Sequence, residues 1–174
     1  MIRDGNDADL PEILKIHTDA FGGDAEACLV SQMLRDPTAH PCLSLIAEED
    51  GQAIGHVLFT PVTIDGAARP VVGAILAPLA VSPDHQGKGA GSDLVRHGLA
   101  RLASDKTEVV FVYGDPDYYG RFGFKAALSF GLRAPNPLPP NYERGWTVLA
   151  PDDVLKGLSG TVQCCDVLNR PEYW

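Results

Sequence analysis

Leu79-Ala80-Val81-Ser82-Pro83-Asp84-His85-Gln86-Gly87-Lys88-Gly89-Ala90-Gly91-Ser92 is the stretch on which the fold turns. Three apolar residues end a strand, Ser82-Pro83-Asp84 turns the chain, and interleaved glycines lead into a helix predicted to run to about Ser104. Val95, Leu99 and Leu102 fall on one face of that helix. Strand, glycine turn and helix in this order make an anion site. Glycines let consecutive backbone N–H groups converge without side-chain clash, and the helix start adds the positive end of its dipole. A pyrophosphate is the natural guest. Two familiar phosphate loops do not fit: G-x-G-x-x-G needs glycine where Ser92 stands, and G-x-x-x-x-G-K-[ST] has no match.

Working outward, Pro70 to Val81 is apolar enough for a central strand, and Pro78 within it, unable to donate a ladder hydrogen bond, predicts a bulge or local gap. Cys42–Glu48 and Ala53–Ile64 read as a hairpin around Glu49-Asp50-Gly51-Gln52. Asp7 or Asp9 can cap a first helix with Pro11 in its first turn and Gly22-Gly23 at its end; a second helix fits Asp24 to Arg35. Downstream, Glu108–Tyr113 is a buried strand and Asp115–Phe124 a short aromatic-rich helix or turn. Pro135, Pro137, Pro139 and Pro140 mark a loop, and Trp146–Leu149 and Thr161–Val167 are further strands. No repeat or linker divides residues 1–174, so one domain is expected.

With 45 % hydrophobic residues the chain can bury one substantial core, yet no run approaches the ~18 apolar residues of a membrane span. The start, Met1 to Leu10, is acidic where a secretory leader is basic and then apolar, so a cytoplasmic location is expected. A formal net charge of −9 argues against nucleic acid or anionic membrane as partner and suits a cationic one. Cys28, Cys42, Cys164 and Cys165 lack CxxC spacing, and His17, His40, His56, His85 and His97 form no metal-ligand pattern. No metal is expected.

Gln86-x-x-Gly89-x-Gly91 resembles the coenzyme A signature of the GNAT superfamily of N-acetyltransferases, and the elements before it follow that family's order. About thirty residues on, Tyr118-Tyr119-Gly120-Arg121-Phe122-Gly123-Phe124 looks like the aromatic x-x-x-G-F segment after the family's fifth strand. The resemblance covers roughly residues 1–130, and Gly114-Asp115-Pro116 is similar to the YhbS-like branch. It implies an α/β fold: a mixed, mainly antiparallel sheet, splayed between its fourth and fifth strands, with helices on both faces. It also implies acetyl-CoA as co-substrate and a primary amine, small or peptide-borne, as acceptor. Homodimers are common in the superfamily, which leaves a homodimer open here.

Residue by residue, the resemblance puts the pantetheine arm against Leu79, Ala80 and Val81, where backbone N–H groups of Ala80 or Val81 could polarise the carbonyl. It puts the pyrophosphate on Gln86, Gly87, Lys88, Gly89, Ala90, Gly91 and Ser92. For Lys88 a solvated loop lysine stands beside a phosphate contact. Tyr119 matches the usual general acid, a phenol of ordinary pKa about 10 that can protonate the departing thiolate, with Tyr118 as substitute; a core aromatic is the other reading. Many members carry a glutamate on or beside the fourth strand, whereas Gly73 to Val81 holds no ionisable residue. Glu48, His56 and Asp115 are candidate bases by position, a water relay serves equally, and none is assigned. An acyl-cysteine route through Cys42, Cys164 or Cys165 lacks an evident activating histidine. The missing glutamate keeps a second class open, a non-catalytic acyl-CoA sensor or partner-binding module. An ATP-using enzyme is weaker because no Walker-type pattern is present.

Overall fold

The computed structural model describes residues 1–174. Consecutive apolar side chains can all be buried only in a strand covered on both faces, so the apolar middle of the chain becomes the centre of the sheet. In β3 (Gln52–Asp65) the seven residues from Ile54 to Thr60 are all buried. It pairs antiparallel with β2 (Leu43–Glu49) and β4 (Gly73–Val81), giving the expected hairpin and central strand. A short β1 (Ile2–Asp4), too brief to carry a sequence pattern, extends the sheet beside β2. Helix α3 (Ala90–Ser104) crosses over to β5 (Val109–Tyr113), which runs parallel to β4. The sheet continues through β8 (Trp146–Leu149) to β6 (Lys125–Ala126). β9 (Gly160–Gln163) pairs with the far end of β3 and, in parallel, with β7 (Leu132–Arg133). The mixed, mainly antiparallel α/β sheet is as the sequence implied.

Helices cover both faces. Leu94, Val95 and Leu102 of α3 pack with Leu45, Val57 and Phe59 on one. The approach is so close that a Cβ on Gly98 would overlap the Phe59 ring. On the other face lie α1 (Leu10–Phe21) and α2 (Ala25–Met33), with Leu29 and Met33 against Leu58 and Ile75, and Ile13 and Val30 against Ile46.

Several boundaries differ from expectation. Neither Asp7 nor Asp9 caps α1 with its side chain. Asp9 instead receives two bonds from the Arg3 guanidinium at 2.7 and 2.8 Å and one from Asn6 N. Gly22, at φ 72°, ends α1 as expected. The last strand stops at Gln163 rather than Val167 because the Asn169 side chain captures both the N–H and the carbonyl of Cys164. That turn sends the final segment back across the molecule, where Val167 N donates to Asp36 and Arg170 to Gln32. α5 (Asp152–Lys156) was not anticipated.

Two features shape the site. Between Val57 and Phe59 the register with β4 shifts from Leu79 to Leu76, so β4 takes three steps where β3 takes two, at Ala77-Pro78. This is the bulge that Pro78 predicted. Pairing of β4 with β5 ends at Leu76 opposite Val112, while β4 runs on to Val81 held by β3 alone. Beyond that point the two strands part.

Candidate functional site

Where β4 leaves β5, a cleft of about 650 Å³ opens between Ala77-Pro78-Leu79 on one strand and Val112-Tyr113-Gly114 on the other. Its far wall comes from the end of α1, the start of α2 and the final segment, at Phe21, Glu26, Leu168, Glu172, Tyr173 and Trp174. Alternate backbone groups of an antiparallel strand point to opposite sides, so β4 presents amide groups toward the opening that β5 has vacated. Leu79 lines this cleft. Ala80 is buried behind it, opposite His56 in the β3 ladder.

A second hollow, about 370 Å³, lies at the start of α3. Val81, Gln86, Gly87, Gly89, Ala90, Gly91 and Ser92 all line it, so seven of the ten expected donor-site residues meet there. Gly87 and Gly89 have φ of 72° and 98°, the left-handed region that favours glycine. No side chain caps α3; its first internal bond is Asp93 N to Gly89 O, which leaves the N–H groups of the first turn free for an anion. Gln86 serves the loop itself, its Nε2 donating to Val81 O at 2.9 Å. Lys88 sits on the loop's other flank, lining a separate hollow with Glu48, Glu49 and His85. The cation in the phosphate-sized hollow is Arg121, which also donates from Nε to Tyr118 O and whose guanidinium stands 4.4 Å from the Tyr118 ring centre. Arg121 sits inside the quoted aromatic segment, but no sequence pattern shows it facing a loop some thirty residues away.

The two tyrosines divide the space. Tyr118 borders both hollows, and a Cβ on Gly91 would stand 2.9 Å from its hydroxyl, so a glycine is what this position admits. Tyr119 lies in α4 (Pro116–Gly120), edge-on to Tyr118 at 5.0 Å and to Phe124 at 5.9 Å, and borders the cleft alone. It is 9 % exposed. Burial, with smaller contributions from Tyr118 and Asp115, pushes its phenol well above the ordinary tyrosine pKa, so it holds its proton. It is a packed aromatic that keeps its phenol proton and borders the cleft.

The candidate bases fare differently. Glu48 is paired with Arg3 at 2.7 Å. His56 is wholly buried inside β3 rather than near a strand end, its Nδ1 2.9 Å from His17 Nε2 and its Nε2 3.0 Å from Ser44 Oγ. Burial lowers the His17 pKa to about 4 and the His56 pKa to about 3, so both rings are neutral near pH 7. Of the three, Asp115 alone borders the cleft, where its carboxylate also accepts the N–H of Asp117. The histidine that sequence did not supply for a cysteine is His40, 3.7 Å from Cys42, but in another hollow away from Tyr119. Burial raises the Cys42, Cys164 and Cys165 thiols, the reverse of an activated nucleophile. The proline-rich loop does not border the cleft; Asn141, Tyr142 and Arg144 line a neighbouring hollow, because the returning final segment fills that wall. No three metal-ligating side chains gather anywhere, and no helix is long and apolar enough to cross a membrane.

A splayed β4–β5 pair ending in an uncapped, glycine-led helix defines an acyl-CoA transferase fold, and the family model described as an acetyltransferase (GNAT) domain matches residues 1–127. The chain belongs to that family. Among its relatives, the uncharacterized N-acetyltransferase YjhQ of Escherichia coli is 40 % identical over 160 residues, covering 91 % of this chain and 88 % of YjhQ. YhbS of the same organism is 38 % identical over 165 residues, covering 93 % and 94 %. The crystal structure of YhbS in complex with CoA superposes with a TM-score of 0.86 at 35 % identity over 98 % of this chain and 92 % of that one. A GNAT acetyltransferase of Brucella melitensis in complex with acetyl-CoA gives 0.75 at 32 % identity over 97 % of each.

Proposed function

We propose that this protein transfers the acetyl group of acetyl-CoA to a primary amine by direct attack, with both substrates bound at once. The observation that carries the reading is the joining of the two hollows at Tyr118, with free helix N–H groups at one end and the proton-bearing Tyr119 at the other. Relatives whose structures hold CoA or acetyl-CoA support the donor. The helix start, Gly87, Gly89 and Arg121 would hold the pyrophosphate. Leu79 and its neighbours would align the pantetheine amides as an added strand would.

Bound acetyl-CoA supplies an acyl group activated as a thioester. The chain's own part is to bring the neutral amine against it in a mainly apolar cleft, to offer β4 backbone N–H groups to the carbonyl oxygen, and to return a proton to sulfur. A C–N bond forms as the C–S bond breaks; the amine proton leaves to water, and the Tyr119 phenol protonates the thiolate, then regains its proton from solvent. Burial disfavours the Tyr119 phenolate as well as a free thiolate, so the charge passed to the phenol oxygen is discharged by proton return from solvent.

Thermal unfolding with acetyl-CoA, CoA and ATP tests the donor site, since a ligand at 100 times its Kd adds about 2.7 kcal/mol of stability. Stabilisation by both CoA species and not by ATP, with thiol release on adding an amine, is the expected result. Binding without thiol release from any amine in a broad panel would favour the sensor reading; no stabilisation by either CoA species would overturn both.

A further inference from the structure

The cleft that would receive the acceptor has a chemistry of its own. Glu26, Asp115 and Glu172 border it, and none takes part in a salt bridge, whereas Asp9, Glu48, Glu108 and Asp152 each pair with an arginine or lysine elsewhere. No lysine, arginine or histidine lines it. Fourteen of its nineteen bordering residues are hydrophobic, so the carboxylates sit at intervals on an apolar wall. Part of that wall is aromatic: Trp174 lies flat on Tyr113 at 5.8 Å and is held by an Nε1 bond to Leu168 O, while Phe21 is 49 % exposed at the edge. The Tyr119 ring, 9 % exposed, borders the same space.

We propose that the acceptor is a monoamine on an apolar or aromatic body that carries no carboxylate of its own. This rests on the acetyl-transfer reading. An ammonium group is drawn in by three carboxylates that no salt bridge neutralises and by aromatic faces, and it gives a proton to water before the neutral amine attacks the thioester. A free amino acid brings a carboxylate that meets like charge and finds no cation to receive it, an exclusion built from repulsion. A polyamine must desolvate further ammonium groups against a mainly hydrophobic wall, which costs more than three scattered carboxylates return. The apolar body of the preferred amine fills that wall instead.

Phenethylamine, phenylalanine and spermidine separate these cases, because the first two differ by one carboxylate. With acetyl-CoA saturating, phenethylamine should give a kcat/KM at least ~10-fold above either competitor, and Glu26→Gln or Glu172→Gln should raise its KM several-fold and shrink its margin over phenylalanine. The KM for acetyl-CoA and the melting temperature of both variants should stay unchanged, which a merely structural role would not allow. Phenylalanine or spermidine turned over as well as phenethylamine, or a margin untouched by both variants, would overturn this inference and leave acetyl transfer standing. Failure of acetyl-CoA to bind would overturn both.

Discussion

Acidification should unfold this protein through two imidazoles before it does so through carboxylates. His17 and His56 are wholly buried, 2.9 Å apart, and hold pKa values of about 4 and about 3, with burial the main cause and Asp9 offsetting it slightly at His56. In the unfolded chain both return to about 6.5. Protonation therefore favours the unfolded state: the stability is whole above pH 6.5, falls as pH drops below it, and levels off only near the folded values. Between pH 7.5 and 5.0 each ring accounts for about 2 kcal/mol, and the pair for ~4, a large share of a typical domain's 5–15 kcal/mol. Urea unfolding at the two pH values measures the difference directly. A double variant, His17→Gln with His56→Gln, should lose most of that difference whatever its stability at pH 7.5. Equal pH sensitivity in variant and parent, or a parent that loses less than about 1 kcal/mol, would refute the reasoning.

Three further outcomes follow from distances already given. Tyr119→Phe keeps the ring that packs on Phe124 and Gly114 but removes the proton, so kcat should fall about 100-fold or more, with acetyl-CoA binding little changed by calorimetry. Gly91→Val drives a side chain into the Tyr118 hydroxyl, 2.9 Å from the new Cβ, and should weaken CoA binding at least ~10-fold; pairing it with Tyr118→Phe should restore part of that loss. Gly98→Ala gains about 1 kcal/mol of helix propensity but forces Phe59 aside at a cost of roughly 1–3 kcal/mol, so thermal unfolding should show net destabilisation, relieved by Phe59→Leu.

The sequence alone determined what depends on neighbours along the chain. The apolar runs at Ala53–Ile64 and Pro70–Val81, the glycines at 87, 89 and 91, Pro78 and the aromatic segment at 118–124 each report a local constraint on backbone, period or turn. From them the sheet, its bulge and the glycine turn before α3 were legible. What the tertiary structure decided was which distant residues share a space. Arg121 faces the glycine loop, Glu26 and Glu172 come from opposite ends of the chain to one wall, and His40 finds Cys42 away from the cleft. His56 reads in the sequence as a candidate base by position and His17 as one of five histidines without a metal pattern, until α1 packs on β3 and removes both from water. Local periodicity says which side of an element is apolar. It does not say which element that side will meet, and charge, burial and proton affinity all follow from that meeting.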